Sequence, residues 1–477
     1  MKKDKYAIEK EKFTTKRRNM WDNNVERKSK YWSSEYYKRL TGVYNLVVPE
    51  NSSVLEIGCG KGDLLAALNP DIGRGVDYSE MMIKEAQLKY PQFQFIVSDA
   101  LELEYDGKKF DYIILSDLIN DVWDVQTLLK QLKQFCTNET RLVFNYYSHL
   151  WQIPLQFAQF IGIARPNMIQ NWLTNKDVSN LLELENYQPL KTWQEIVVPI
   201  PFPGAKYLNK YLSKISPFRW LALTNFMIAR PMIDVKKKKM TTSVLVPARN
   251  EEGHINEILD RIPEMGDGVQ IIFVEGHSTD GTYEAIQQVI EDNPDKDCLL
   301  IKQPGKGKGD AVRAGFAQAR GDILMILDAD MTVPPEELIR FYEAIATNKG
   351  EFINGVRLVY PMEEKAMRFF NLLGNKFFAG AFSWLLGQSI RDTLCGTKVI
   401  LRKNYEQLAK NRGYFGEFDP FGDFDLLFGA VKQNLRIVEI PVRYRAREYG
   451  ETNIDRWRHG LLLLRMVIFA AKKIKFV

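Results

Sequence analysis

The sequence predicts an α/β protein made of two doubly wound domains in tandem, and three stretches carry that reading. The apolar run Ile323-Leu324-Met325-Ile326-Leu327, bounded by Gly321 and Pro334-Pro335, has the length of a buried parallel strand and ends in Asp328-Ala329-Asp330. Far upstream, Val54-Leu55-Glu56-Ile57 runs into the glycine-rich turn Gly58-Cys59-Gly60-Lys61-Gly62, a second strand end built to meet a ligand. Between the two, Pro231 and Asp234-Val235-Lys236-Lys237-Lys238-Lys239 interrupt the alternation of strands and helices, because four adjacent lysines cannot enter a core. A chain of 477 residues also exceeds what one core organises. These marks divide it into a charged N-terminal extension (1–29), a first domain (30–150) and a cap region on it (151–233). A basic linker (234–240), a second domain (241–455) and a basic amphipathic C-terminal helix (456–477) follow.

Composition narrows the function. The apolar, charged and aromatic fractions are 45%, 26% and 12%, those of a folded chain rather than a disordered one. An excess of 65 basic over 60 acidic residues, with no basic stripe between aromatics, argues against nucleic acid as a partner. Cys59, Cys136, Cys298 and Cys395 are scattered, which suits a reducing compartment without structural zinc. Met1 to Lys28 has no apolar run, so no secretory signal is expected and the chain is expected in the cytoplasm. Neither a solenoid repeat nor a low-complexity segment is present.

In the first domain the strand Val54–Ile57 and its glycine turn lead into a helix over 64–68. A second strand, 73–76, ends in Asp77, seventeen residues past Gly60, where an acid can accept hydrogen bonds from both hydroxyls of a ribose. Strands over 93–97 and 112–115 end at Asp99 and at Ser116-Asp117. This series resembles the class I S-adenosylmethionine-dependent methyltransferases over residues 30 to 145. The resemblance implies a Rossmann-like domain in which Glu56, Gly58, Gly60 and Gly62 surround the methionine moiety, Asp77 holds the ribose and Asp99 meets the adenine. A Rossmann dehydrogenase is the competing reading; its third glycine would fall one residue later, nearer the domain's start. Methyl transfer is a direct displacement that needs alignment and, for a hydroxyl acceptor, a base. Asp117, Asp121 and His149 are candidates, although a histidine beside aromatics is more often structural. The aromatic, Pro-rich segment from Trp151 to Arg230 reads as a cap over the acceptor.

The second domain begins with a strand, Thr242–Val246, that ends at Pro247-Ala248-Arg249-Asn250-Glu251, and a helix starts near Ile255. The strand Val269–Val274 ends at Glu275-Gly276-His277. Lysines in Gly305-Lys306-Gly307-Lys308-Gly309, at a helix start, suit a diphosphate through charge, backbone donors and macrodipole together. Two carboxylates on the next strand end suit a hard divalent cation, with a solvated turn as the plainer alternative. In this order the motifs resemble the family 2 glycosyltransferases of the GT-A fold over residues 241 to 455, nearest the branch with dolichol-phosphate mannose synthases. The resemblance implies that Pro247, Arg249, Glu251 and Glu275 border the nucleoside of a nucleotide-diphosphate sugar, with Lys306 near the diphosphate. It makes Asp328 and Asp330 ligands of Mg²⁺ or Mn²⁺. Two departures stand out: Gly276 where the family often has a second acid, and His277 where it has glycine.

Further along, Arg391-Asp392-Thr393-Leu394-Cys395-Gly396-Thr397-Lys398 resembles the family's acceptor motif, which puts Asp392 on the acceptor side. Phe421-Gly422-Asp423 stands where the family has its base-bearing Glu-Asp pair, with Gly422 in place of the glutamate, so Asp423 is the expected catalytic base if the acceptor is a sugar hydroxyl, and Asp330 its catalytic partner through the metal. A polyprenyl phosphate acceptor is already anionic and needs only cations, and Arg443, Arg445 and Arg447 can cradle it unless they form a solvated edge.

Leu461 to Ala471 spans eleven residues, short of the ~20 that cross a bilayer, and has basic flanks that suit the headgroup plane. Phe369 to Leu386 is a second candidate, and each could equally be a core helix. The sequence therefore predicts a bifunctional transferase of the cell envelope. It would transfer sugar with a metal and inversion to a polyprenyl phosphate or glycan, and methyl from S-adenosylmethionine, with peripheral contact at the inner face of the cell membrane. The rival makes the first domain a non-catalytic S-adenosylmethionine-binding or scaffold module.

Overall fold

A computed structural model describes residues 5–23, 31–161, 170–199, 202–233, 239–357, 359, 369–412, 423–445 and 456–476. The chain forms two compact units, Met1–Ile233 with Phe476–Val477, and Asp234–Lys475.

The first unit is a seven-stranded sheet: β1 (Ser53–Ile57), β2 (Ile72–Asp77), β3 (Gln94–Val97), β4 (Tyr112–Leu115), β5 (Arg141–Tyr147), β6 (Tyr187–Glu195) and β7 (Thr224–Pro231). Its order is β3-β2-β1-β4-β5-β7-β6. The first five strands are parallel and β7 runs antiparallel to both neighbours. Every residue of β4 and β7 is buried, as expected of strands covered on both faces. Alternate side chains supply two cores. Leu55, Ile57, Ile113 and Leu115 face the helix Val125–Leu132, which buries Val125, Leu128, Leu129 and Leu132 at helical spacing. Val54, Ile114 and Val143 face Leu40, Val43, Tyr44 and Val47 of the helix Tyr31–Val47. Asp124 caps the former helix by accepting from Thr127 N–H at 3.1 Å.

Two segments differ from expectation. The region 151–233, anticipated as a cap, also supplies β6 and β7, because Phe226, Met227, Ile228 and Ala229 are apolar on both strand faces. The charged N-terminal stretch forms a helix, Lys5–Asp22, that packs on the carboxyl edge of the sheet. Its Arg17 is 3% exposed and lies 3.6 Å from Asp121, Phe13 sits edge-on to Trp123, and Asp22 accepts from the Ser79 hydroxyl. Few apolar residues line this helix, so polar and aromatic contacts hold it and no hydrophobic pattern marked it.

The second unit is a mixed seven-stranded sheet: β8 (Thr242–Ala248), β9 (Val269–Glu275), β10 (Asp297–Lys302), β11 (Ile323–Ile326), β12 (Phe352–Val356), β13 (Lys398–Leu401) and β14 (Ile437–Pro441). The order is β10-β9-β8-β11-β13-β12-β14. Strands β10, β9, β8 and β11 are parallel, whereas β13 is antiparallel to β11 and β12. The helices Phe369–Leu386 and Arg456–Ala470 are core elements on one face each, burying Phe382, Leu385 and Leu386, and Leu463, Met466 and Ala470. Among the described residues no helix is long and apolar enough to cross a membrane.

Gly62 has φ of +74°, and a Cβ there would come within 2.6 Å of the Phe95 ring. Gly62→Ala is therefore expected to destabilise the first unit by about 1–3 kcal/mol, read as a lower denaturant midpoint of its unfolding transition.

Candidate active sites

Among the parallel strands of each sheet the order reverses between β1 and β4 in the first unit and between β8 and β11 in the second. Ligands of open α/β sheets bind at the carboxyl ends of strands beside such a reversal.

At the first crevice Gly58, Gly60 and Gly62 all have positive φ, which folds the turn back over the end of β1. Asp77 closes it: Oδ2 accepts from Gly60 N–H and Oδ1 from Ser79 N–H, each at 2.9 Å. Burial raises the Asp77 carboxyl above the usual range while these two amides pull it back. Glu56 is 2% exposed, and its Oε2 has no hydrogen-bond partner. Burial pushes that carboxyl well up. An orphaned buried oxygen beside a glycine cradle fits a ligand that brings a donor or a positive centre, which the ammonium and sulfonium of S-adenosylmethionine supply. Asp99 follows β3, half-buried, with Oδ1 on Leu101 N–H at 2.9 Å.

One turn along the same edge lies a network around Asp117. Its Oδ1 accepts from Tyr36 O–H at 2.8 Å and from Asn145 Nδ2, while Asn145 Oδ1 accepts from Tyr44 O–H at 2.7 Å and Asp117 N–H at 3.2 Å. These bonds hold Asp117 at φ of +54°, a backbone strain of the kind found at functional sites. Burial lifts its carboxyl to about 6, against the pull of Tyr36 and Asn145. Of the three candidate bases this is the one built for proton transfer near neutrality. Asp121 is ion-paired with Arg17, and His149 is exposed in a 3₁₀ turn outside the network.

At the second crevice the expected nucleoside residues do lie at the ends of β8 and β9. Pro247 is half-buried in β8 and Arg249 is exposed just beyond it. Glu251 is buried with Oε2 3.1 Å from His254 Nδ1, and Glu275 Oε1 accepts from Ser278 N–H at 2.6 Å. The turns after β8 and β9 and beyond Asp330 contain Asn250, His277 and Met331 with φ of 57°, 58° and 49°. His277 thus occupies a left-handed position that favours glycine, and its Nε2 lies 3.1 Å from the Gly305 carbonyl. At Gly276 a Cβ would come within 3.3 Å of the Arg249 Cβ, so a larger side chain there is crowded.

Asp328 and Asp330, both half-buried, follow β11 in a turn in which Met331 N–H donates to the Asp328 carbonyl at 3.3 Å. The lysine that reaches them is Lys308, with Nζ 2.6 Å from Asp328 Oδ1; Lys306, expected there, is exposed in the preceding loop. Burial alone would raise Asp328, but Lys308, with Lys398 and Arg357 beyond it, holds its carboxyl below the usual value. Asp330 Oδ1 accepts from the Thr332 hydroxyl at 2.8 Å. Any side chain at Gly396 would overlap the Asp328 carboxylate, which fixes glycine there. Among the described residues no third His, Cys, Asp or Glu completes a cation cage. Two carboxylates are the hard oxygen donors that a divalent cation would take, although the Lys308 ammonium already holds one of them.

Asp392, assigned by resemblance to the acceptor side, has both oxygens on Arg357, at 2.7 Å from Nε and 2.9 Å from Nη2, and is 1% exposed. Burial opposes both charges, yet each holds the other: Asp392 sits below and Arg357 above its ordinary value. Asp392 therefore positions Arg357, whose guanidinium lies over the Tyr444 ring at 5.1 Å. Asp423 opens the helix Asp423–Lys432, but its side chain, like Arg447, lies outside the described residues. Sequence reasoning missed Tyr36, Tyr44, Asn145, Arg17, Lys308 and Arg357. The Gly-Lys-Gly-Lys-Gly pattern offered two lysines without deciding between them, and the others are brought in from distant segments.

The sequence profile of glycosyl transferase family 2 matches residues 243–408, and that of a methyltransferase domain matches residues 49–198. An undecaprenyl-phosphate 4-deoxy-4-formamido-L-arabinose transferase of Edwardsiella ictaluri is 26% identical over 226 residues, 46% of this chain and 64% of that protein. A dolichol-phosphate mannosyltransferase of Pyrococcus furiosus is 28% identical over 220 residues, 45% of this chain and 59% of that protein. The chain thus spans less than two thirds of the length of both relatives. The solved glucosyl-3-phosphoglycerate synthase of Mycobacterium tuberculosis, in complex with Mn²⁺ and UDP, is 17% identical with a TM-score of 0.36, covering 49% of this chain and 80% of that one. That likeness is too loose to bear on function.

An infrared titration of the full chain is expected to show a protonated carboxyl band growing in as pH falls through about 6. Asp117→Asn should lack that band; its persistence in the variant would assign the titration elsewhere.

Proposed function

We propose that this chain, in which a methyltransferase domain is followed by a family 2 glycosyltransferase domain, is a bifunctional transferase. Its second domain would move a sugar from a nucleotide-diphosphate donor to a polyprenyl phosphate or glycan, and its first a methyl group from S-adenosylmethionine to a separate acceptor. The observation that carries the glycosyl half is the pair Asp328 and Asp330 at the strand reversal, with Lys308 2.6 Å from one of them. Asp328 and Asp330 would hold Mg²⁺ or Mn²⁺, which when bound offsets charge on a departing nucleoside diphosphate. Lys308, in the first turn of the helix Lys308–Ala317, brings an ammonium and a helix N-terminus to the same place. Pro247, Arg249, Glu251 and Glu275 border the nucleoside, and the acceptor attacks the anomeric carbon from the opposite face, with inversion.

A phosphate acceptor needs no base, only positive charge. Arg340, Arg443 and Arg445 line one cleft with Pro334, Glu336 and Glu337, Arg340 being paired with Glu337 at 2.5 Å, and Arg445 N–H donates to the Thr332 carbonyl at 3.0 Å, two residues past Asp330. Three cations against two acids leave this cleft a small positive excess, which is compatible with a polyprenyl phosphate; for a sugar hydroxyl, Asp423 is the base that the family resemblance implies. The helix Arg456–Ala470 exposes Leu461, Leu464 and Ile468 on the side away from its buried face, and exposed Lys472 and Lys473 follow it. Such a face favours peripheral contact at the cytoplasmic side of the cell membrane, where envelope precursors are assembled.

In the first domain Glu56, Gly58, Gly60, Gly62, Asp77 and Asp99 would hold S-adenosylmethionine, which supplies an electrophilic methyl group. Asp117 is held on one oxygen by Tyr36 and Asn145, and with a carboxyl near 6 it is ionised at neutral pH and able to take the acceptor's proton. That network favours catalysis over a scaffold role, which needs no poised base.

Asp330→Asn is expected to lower sugar transfer about a hundredfold or more, assayed with UDP-, GDP- and CMP-linked sugars and Mg²⁺ or Mn²⁺, while calorimetric binding of S-adenosylmethionine stays unchanged. Unaltered transfer would remove the carboxylate from the mechanism. Asp77→Ala should do the reverse, weakening S-adenosylmethionine at least tenfold with sugar transfer intact.

A further inference from the structure

Outside β6 and β7, the cap of the first unit is held from within partly by buried polar contacts: Asn209 Oδ1 accepts from Val198 N–H at 2.7 Å and its Nδ2 donates to the Val198 carbonyl at 2.9 Å. Lys214, 7% exposed, pairs with the buried Glu195, which also meets Arg39 at 3.0 Å. Among the described residues its outer surface exposes many large apolar side chains. The helix Gln152–Phe160 buries none of its residues, and Ile153, Phe157 and Phe160 share a solvent-facing side, with Phe157 62% and Phe160 88% exposed. The 3₁₀ turn Phe218–Leu221 presents Trp220, 60% exposed, and is tied to the start of that helix by Trp151 Nε1, which donates to the Leu221 carbonyl at 2.9 Å. The helix Ala205–Tyr211 adds exposed Tyr207 and Tyr211 at i and i+4.

Charge singles out the occupant. From Thr140 to Lys176 and from Ile196 to Ile233 the sequence contains no Asp or Glu, while Lys206, Lys210 and Arg219 lie among the exposed apolar side chains. A protein partner of ordinary composition would meet a mixed-charge rim. An apolar surface with aromatic residues and cations and no acids matches the headgroup region of a membrane, where aromatic rings bury and cations meet anionic lipid. We infer that this face of the first unit docks on an anionic lipid bilayer. Because the face continues from the end of β5, where Ser148 N–H donates to the Leu223 carbonyl at 2.7 Å, docking would bring the Asp117 edge to the lipid surface and admit a lipid-borne methyl acceptor. The docking itself rests on the cap alone; only the access of a methyl acceptor rests on the transfer chemistry proposed above.

The test is flotation of the full chain with vesicles of phosphatidylcholine containing about one third phosphatidylglycerol, against phosphatidylcholine alone. Binding is expected to favour the anionic vesicles and to weaken with salt. The variant F157E/F160E should lose at least tenfold in partition, and K206E/K210E roughly fivefold per cation reversed. All four positions are exposed or half-exposed, so unchanged circular dichroism melting confirms that each variant is folded. The pair L464E/I468E in the second unit separates the two surfaces, since part of the binding should survive it. Unchanged partition of F157E/F160E, or loss confined to L464E/I468E, would overturn the inference. So would a solution dimer that F157E/F160E splits without affecting vesicle binding.

Discussion

Carboxylates gathered at the carboxyl ends of parallel strands are the constraint on which both units depend. A parallel sheet covered on both faces buries its strands almost completely, so an acid can be accommodated only where the strand stops and polar partners begin. Asp77, Asp117, Asp328 and Glu275 all sit at such ends, and each is held by a backbone amide, an amide side chain or a cation. The remaining exception is Glu56, whose second oxygen is buried without a partner. Leaving such an oxygen unmatched costs about 1–3 kcal/mol, a penalty that a folded domain tolerates where a ligand relieves it.

The two crevices answer that constraint in different ways. In the first unit the acids are eased toward neutrality by burial, with Asp117 lifted to about 6, so protons can move there. In the second, Asp328 and Asp392 are kept ionised by adjacent cations, Lys308 and Arg357, so these positions carry fixed charge. A proton-handling edge suits displacement at a methyl group that frees a proton from its acceptor. A fixed-charge edge suits phosphates, which keep their charge throughout.

Much of this was legible in the chain. The strands through Ile57, Asp77, Val97, Leu115, Ala248, Glu275 and Ile326 were readable because each is a short apolar run stopped by glycine, proline or an acid. The glycine turn and the Asp328-Ala329-Asp330 ending were readable because few packed interiors use those residues there. Helix Lys5–Asp22 was not, since its contacts are an ion pair, an edge-on aromatic and a hydroxyl, which leave no periodic trace. Strands β6 and β7 were obscured by the prolines and aromatics between them. Lys308 stood beside Lys306 without being chosen, and Arg357 went unnoticed, because only tertiary packing selects one cation among several.

The bidentate contact between Arg357 and Asp392 has a consequence for inheritance. Both groups are nearly sealed from water, so losing either one strands the other's charge in the interior, at about 3–5 kcal/mol, whereas exchanging both for apolar residues of similar volume can cost little. A lineage cannot drift away from this contact one codon at a time without passing through a poorly folded intermediate. The two positions therefore act as one energetic unit whose halves cannot be exchanged separately without that cost.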